Sequence, residues 1–288
     1  AGGTLGILIP PSVILVFYGI MTQQDIGKLF LAGLIPGLIG IIGYTIAVRI
    51  TLVTQKIDLP VEPKLPFLDR IRALKGTAGA LILFVFVMGG IYLGVFTPTE
   101  SAGMGAAGAL LLSMLSGRFS LKGALGPLFD AAKTTAMMFF ILFGALTFTN
   151  YVNLSGMTRD MQDLLTVFGD NPLAVILTIL VIYLLLGCML EALSLIVTTI
   201  PIVFPLVIGL GFDPVWLGIF LTLMAELALI PPPVGMNLYV VQGIRGPGRG
   251  IGDVMVGVMP FVLILGLVTI LVVYVPELAL WLPEQLFK

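Results

Sequence analysis

The sequence has no histidine, one cysteine and few charges: only 10% of its 288 residues are Asp, Glu, Lys or Arg. Each shortage closes off a class of function. Without imidazole there is no histidine ligand for a metal and no histidine proton relay. Cys188 lies in an apolar run and has no second cysteine in the chain to pair with, so no redox role follows. A formal net charge of −1 offers no basic face, and no nucleic-acid partner is expected. The residue pattern contains no serine or cysteine nucleophile beside a base, no phosphate loop and no zinc site.

What is present is apolar. Hydrophobic residues make up 59% of the chain, and several runs reach the roughly 20 residues that span a bilayer. The expectation is an all-α polytopic membrane protein embedded in lipid. Ala1 lies in an apolar stretch without an initiator methionine or a charged leader, so the chain reads as a carboxy-terminal portion.

Two apolar segments carry the same proline-rich interruption, Leu8-Ile9-Pro10-Pro11-Ser12-Val13 and Leu229-Ile230-Pro231-Pro232-Pro233-Val234. Each proline removes a backbone donor and blocks the preceding helical turn, so both stretches must open into loops. Irregular backbone at membrane depth survives only where it is buried in protein or lines a cavity, and paired breaks in two halves of a chain point to a transporter's binding site. The freed carbonyls need partners, and a bound cation is one candidate.

Charge gives the sides. Residues 1–55 hold the first broken helix, a short interfacial helix at Asp25–Phe30 and a span from about Ala32 to Leu52. Residues 56–76, with the basic residues Lys56, Lys64, Arg70, Arg72 and Lys75 and the prolines Pro60, Pro63 and Pro66, read as a cytoplasmic linker rather than a helix. Residues 77–288 read as three spans, a 40-residue apolar stretch over 172–211, a broken helix over 214–243 and a last span over 253–276. The spans run from about 77 to 96, 101 to 115 and 134 to 149. The stretch 172–211 fits either two spans or a re-entrant hairpin. On this count the first broken helix ascends and the second descends.

A repeat joins the halves. Leu8, Ile9, Pro10, Pro11, Val13 and Tyr18 match Leu229, Ile230, Pro231, Pro232, Val234 and Tyr239 at a constant offset, followed by Ile26-Gly27 and Pro36 against Ile251-Gly252 and Pro260. Matching order with opposite membrane direction is what an inverted-topology repeat predicts.

The candidates for chemistry cluster at these places. Glu191 and Glu226 are carboxylates far from the expected interfaces, where an ionisable group is costly unless it faces a cavity or a cation. Each reads as a cation or proton site or as a polar clamp on helix ends, against the plain alternative of a protonated or hydrogen-bonded structural carboxyl. Thr4, Gly6 and Ser12 around Pro10 and Pro11, and Gly235 and Asn237 after Pro232 and Pro233, can supply hydroxyl, amide and carbonyl oxygens, the donors a hard cation such as sodium prefers. Ser194 stands beside Glu191. Thr97-Pro98-Thr99-Glu100 reads as a helix cap. Glycines such as Gly103, Gly105 and Gly108 suit close helix packing.

Ala1–Ser12 (AGGTLGILIPPS), Tyr18-Gly19, Ile26-Gly27-Lys28-Leu29-Phe30, Phe96-Thr97-Pro98-Thr99-Glu100, Gly211-Phe212-Asp213-Pro214 and Pro232-Pro233-Val234-Gly235-Met236-Asn237-Leu238 together resemble the large membrane subunit (DctM type) of tripartite ATP-independent periplasmic (TRAP) transporters. The resemblance implies a secondary active transporter of the ion-transporter superfamily in the bacterial cytoplasmic (inner) membrane. Inverted repeats, re-entrant hairpins, broken helices and an elevator-like motion come with it. It further implies Na+ as coupling ion, with no other cofactor, a small four-helix membrane subunit and a periplasmic substrate-binding protein that delivers an organic anion. Under it, 172–211 is the second hairpin, Glu191 and Ser194 lie near its tip facing Pro231–Asn237, and the first hairpin precedes Ala1. Two positions depart from the expected pattern: 191 is Glu where Asp is expected to be common, and 231 is Pro where Thr is frequent. The competing readings are an intramembrane enzyme using Glu191 and Glu226 as an acid–base pair, and a channel.

Overall fold

A computed structural model of the chain describes residues 2–54, 66–117, 119–156, 171–231, 235–245 and 250–287. Every regular element among them is helical, as a chain must be whose backbone groups are satisfied within each segment in lipid. The chain divides into two units, one of residues 1–55 and 140–288, the other of residues 56–139.

The larger unit begins with a one-turn helix α1 (Gly2–Leu5) and, after the first break, α2 (Val13–Thr22). Ser12 starts α2 because its hydroxyl oxygen accepts the Leu15 amide at 3.3 Å. That satisfies one of the amides a helix start leaves without a partner. The long span α3 (Ile26–Thr54) follows and carries Pro36 within it. Its glycines make a bed for the first break. A side-chain carbon at Gly33 would stand 2.5 Å from the Leu8 carbonyl oxygen, one at Gly37 would stand 2.9 Å from the Ile9 side chain, and one at Gly40 would stand 2.7 Å from Leu5. Small residues at three- and four-residue spacing let backbones approach closely in a membrane.

The centre of this unit is the helix Pro214–Ala228, in which every residue from Val215 to Ala228 is buried. It is numbered α9, after α7 (Pro172–Gly187) and α8 (Ala192–Gly209). Asp213 opens it by accepting the Val215 and Trp216 amides at 2.7 and 3.0 Å. The Trp216 indole N–H donates to the Val272 carbonyl at 2.8 Å, so this large ring is buried with its polar atom satisfied. α7 and α8 are antiparallel and joined through residues 188–191. The hydroxyls of Tyr183 and Thr199 pair between them. The tip of this hairpin meets the end of α9, with Gly187 against Ala228.

The hairpin tip thus lies level with the second break, halfway along the interrupted helix. Beyond the break come α10 (Met236–Arg245), the span α11 (Ile251–Tyr274) and a short helix α12 (Glu277–Leu286). α12 packs on α3 and α9. The Lys28 end of α3, the Asp213 end of α9 and α12 share a cleft of about 400 Å³ that includes Glu284 and Phe287, which places those three ends at one extremity of the unit.

In the smaller unit α4 (Phe67–Tyr92) packs against α5 (Pro98–Leu115). Leu83 sits over Gly108, and Val87 over Gly105. The expected cap is formed at Thr97: its hydroxyl accepts the Glu100 amide at 3.2 Å, and the Glu100 carboxylate accepts the Thr97 amide at 2.8 Å. α6 (Leu121–Ser155) follows α5 in the chain.

Three expectations need adjustment. The stretch read as a non-helical linker up to 76 is already helical from Phe67, directly after Pro66. Proline fixes an extended residue ahead of a helix and does not prevent one from starting there, and Asp69 sits favourably in the first turn. The rest of that linker, 55–65, lies outside the described residues. The span read as 134–149 extends over 121–155, and the closing helix α12 was not foreseen.

Candidate functional site

The two breaks lie side by side and run in opposite directions. Tyr18, near the end of α2, donates its hydroxyl to the Pro214 carbonyl at 2.5 Å, at the start of α9. Twelve residues along α9, about 18 Å of helix, Glu226 faces the backbone of Leu8 in the first break. The end of one half-helix is therefore tied to the beginning of the other, and both interruptions fall at one depth.

At the second break the freed carbonyls converge. A side-chain carbon at Gly235 would meet the carbonyl oxygens of Pro231 at 2.8 Å and of Ile230 and Leu229 at 2.9 Å each. Only glycine fits here, because any side-chain carbon would clash with all three oxygens. The Gly235 amide donates to the Pro231 carbonyl at 3.2 Å, which closes the loop on itself, and Asn237 follows in the first turn of α10, half-buried. Three neutral carbonyl oxygens are thus gathered around Gly235, ahead of a helix start, and neutral oxygens are a donor type that hard cations accept. Pro232 and Pro233 lie outside the described residues.

The first break is filled differently. Pro10 and Ser12 are buried, Pro11 and Gly6 exposed. The Leu8 carbonyl is pressed against Gly33, and the Ser12 hydroxyl is occupied as the cap of α2. Thr4 is buried in α1, facing Tyr44 of α3.

The two candidate carboxylates occupy contrasting places. Glu191 is exposed at the hairpin tip and caps α8: one oxygen accepts the Ser194 amide at 3.2 Å and the Ser194 hydroxyl at 3.3 Å. The pair expected to act together is thus joined, on the surface of the tip. Glu226 is wholly enclosed, and neither carboxylate oxygen has a hydrogen-bond partner. The Leu8 amide that faces it is already donated to the Leu5 carbonyl at 3.2 Å, so it exerts a field without bonding. Glu191 and Glu226 make no contact that would let them work as an acid–base pair: one is a cap in the open, the other is walled in against Leu8.

The sequence reading missed the glycines of α3, although their spacing, Gly33, Gly37, Gly40 and Gly43, is the ordinary signal for close packing. It also missed Tyr44, whose buried hydroxyl faces Thr4 and which stands within electrostatic reach of Glu226. No local pattern marks a tyrosine in mid-span as a neighbour of a residue so distant in the chain.

Taken together, the fold and the paired breaks define a polytopic helical membrane protein whose irregular backbone is gathered at one central place. The family model for the DctM component of tripartite ATP-independent periplasmic transporters matches residues 1–278, and the chain belongs to that family. It is 34% identical, over 99% of its length and 66% of the relative's, to the C4-dicarboxylate TRAP transporter large permease protein DctM of Pseudomonas aeruginosa. It is also 33% identical, over 97% of its length and 65% of the relative's, to the sialic acid TRAP transporter large permease protein SiaM of Vibrio cholerae. The 2,3-diketo-L-gulonate TRAP transporter large permease protein YiaN of Escherichia coli is 29% identical over 96% of this chain and 65% of its own length. The chain spans just under two thirds of the length of these relatives.

Proposed function

We propose that this chain is part of the membrane subunit of a secondary active, sodium-coupled TRAP transporter that imports an organic acid across the bacterial inner membrane. The observation that carries this reading is the convergence of the Leu229, Ile230 and Pro231 carbonyl oxygens on Gly235, beside the tip that bears Glu191 and Ser194. One sodium ion is held at the second break by the Ile230 and Pro231 carbonyls and by Asn237. The matched first break contributes to a second site. The positive ends of α2 and α10, the half-helices that start after each break, favour the carboxylate of the substrate between them.

The repeat across the two breaks is an inverted one, 172–211 is a re-entrant hairpin, and the motion is elevator-like. The antiparallel course of α2 and α9 and the position of the hairpin tip at mid-helix support this. The hydrogen bond from Tyr18 to Pro214 links the end of α2 to the start of α9, so both breaks travel as one body. The relatives' names support an organic acid as cargo. A small four-helix membrane subunit and a periplasmic binding protein complete the transporter. An acid–base enzyme is disfavoured by the separation of Glu191 from Glu226.

The test is uptake of a labelled C4-dicarboxylate into vesicles holding the complete permease, its small subunit and its binding protein. Accumulation should follow an inward sodium gradient and collapse when the gradient is abolished with ionophore. Equal accumulation with potassium in place of sodium would refute sodium coupling.

A further inference from the structure

At the extremity where the ends of α3, α9 and α12 meet, the cleft of about 400 Å³ is lined by charges of both signs. Lys28 stands on α3, Asp213 at the start of α9 and Glu284 on α12, while Val215, Leu280 and Pro283 supply an apolar wall. The opposite charges are not spent on one another. The Lys28 ammonium lies over the Phe287 ring, 5.7 Å from its centroid, and no described carboxylate comes within ion-pair distance of it. Both amides that Asp213 caps are taken by one of its oxygens, and Glu284 is exposed on the rim.

The cleft stands at headgroup depth. From Ile26 to Val53, α3 offers 28 residues apolar enough to cross a membrane, about 42 Å of helix, against a hydrocarbon core of roughly 30 Å. Lys28 is the third residue of that helix, half-buried, so its stem runs along the protein and its ammonium reaches the polar layer. Trp281 of α12 is 54% exposed, as suits an aromatic ring at the membrane boundary. A phospholipid is the molecule that meets such a cleft, and the sign of the lining selects its headgroup. An anionic headgroup would gain Lys28 and be repelled by two carboxylates. A headgroup with a phosphate and a primary ammonium satisfies both signs, because the ammonium donates charge-assisted hydrogen bonds to carboxylates and the phosphate accepts them from lysine.

We propose that this cleft binds a phospholipid with a zwitterionic, primary-amine headgroup, phosphatidylethanolamine being the simplest: phosphate on Lys28, ammonium on Glu284 and Asp213, glycerol end on the apolar wall. A lipid held in this way clasps α12 to the ends of α3 and α9. The site is separate from the two breaks and does not rest on sodium coupling.

The test is native mass spectrometry of the complete permease, stripped of lipid in detergent and titrated with phosphatidylethanolamine, phosphatidylcholine or phosphatidylglycerol of one acyl composition. Phosphatidylethanolamine should be retained about fivefold more tightly than either of the others, choline failing because its quaternary ammonium has no N–H to donate. Equal retention of the three, or a preference for phosphatidylglycerol, would overturn the proposal. Glu284→Lys reverses the charge of an exposed rim residue and should turn the preference toward phosphatidylglycerol; an unchanged preference would contradict the assignment. If that variant does not fold, Glu284→Gln, which keeps the size of the side chain, should reduce the preference for phosphatidylethanolamine, and its full retention would count equally against the site. Soluble glycerophosphoethanolamine should displace the lipid poorly, since it lacks the acyl chains; displacement at equal concentration would show that the cleft takes a free phosphoamine and overturn the lipid. None of these outcomes depends on the sodium dependence of uptake.

Discussion

The two proline breaks are nearly the same in sequence and are stabilised in opposite ways. The first is closed down: the Leu8 carbonyl lies on Gly33, Ser12 is used as a helix cap, and Pro10 is buried. In the second, three consecutive carbonyls are turned toward the bare α-carbon of Gly235. A proline pair dictates only that the helix must stop; what the released oxygens meet is decided by the residues opposite. At the first break that residue is a glycine of α3, and at the second it is a glycine of the loop itself.

This contrast can be broken by substitution. Gly33→Ala should have the largest effect on stability, because the added carbon meets a backbone oxygen at 2.5 Å that cannot step aside. A loss of about 1–3 kcal/mol is expected from overpacking of this kind, read as a lowered thermal midpoint of the purified permease. Ser12→Ala removes a cap and should cost about 1 kcal/mol, while leaving sodium affinity closer to wild type than any change at the second break does. If Ser12→Ala instead abolished sodium dependence with the thermal midpoint intact, the Ser12 hydroxyl would be a sodium ligand rather than a helix cap and the contrast would fall.

Glu191→Gln sharpens the comparison from the hairpin side. Glutamine keeps an oxygen for the Ser194 amide, so the cap survives and only the charge is lost. Sodium-dependent uptake should weaken roughly two- to fivefold, the size expected for one exposed charge, with the thermal midpoint unchanged. Unaltered sodium dependence would assign Glu191 to capping alone.

Much of this was legible because the physics is local. Proline marks the breaks wherever they occur, and threonine followed three residues later by glutamate marks the cap at Thr97. Glu226 stood out as a carboxylate in an apolar run, but its neighbour Leu8 lies more than two hundred residues away in sequence, and no period in the chain announces that pairing. Glu191 looked equally buried by sequence. The four-residue turn that brings it to the hairpin tip lifts it to the surface, a consequence of geometry rather than composition. The short helix α12 escaped notice because Pro276 stands before it and Pro283 lies within it, two residues that ordinarily break a helix.

The second break is proposed to hold a sodium ion among its carbonyl oxygens. The most direct measurement is a sodium titration of the purified complete permease, wild type against Gly235→Ala, followed by isothermal calorimetry. The alanine carbon would displace the carbonyl oxygens around it, so affinity should fall by about tenfold or more, equivalent to at least about 1.4 kcal/mol, a loss separated from any change in stability by the thermal midpoint. Superimposable sodium isotherms for the two folded proteins would contradict it.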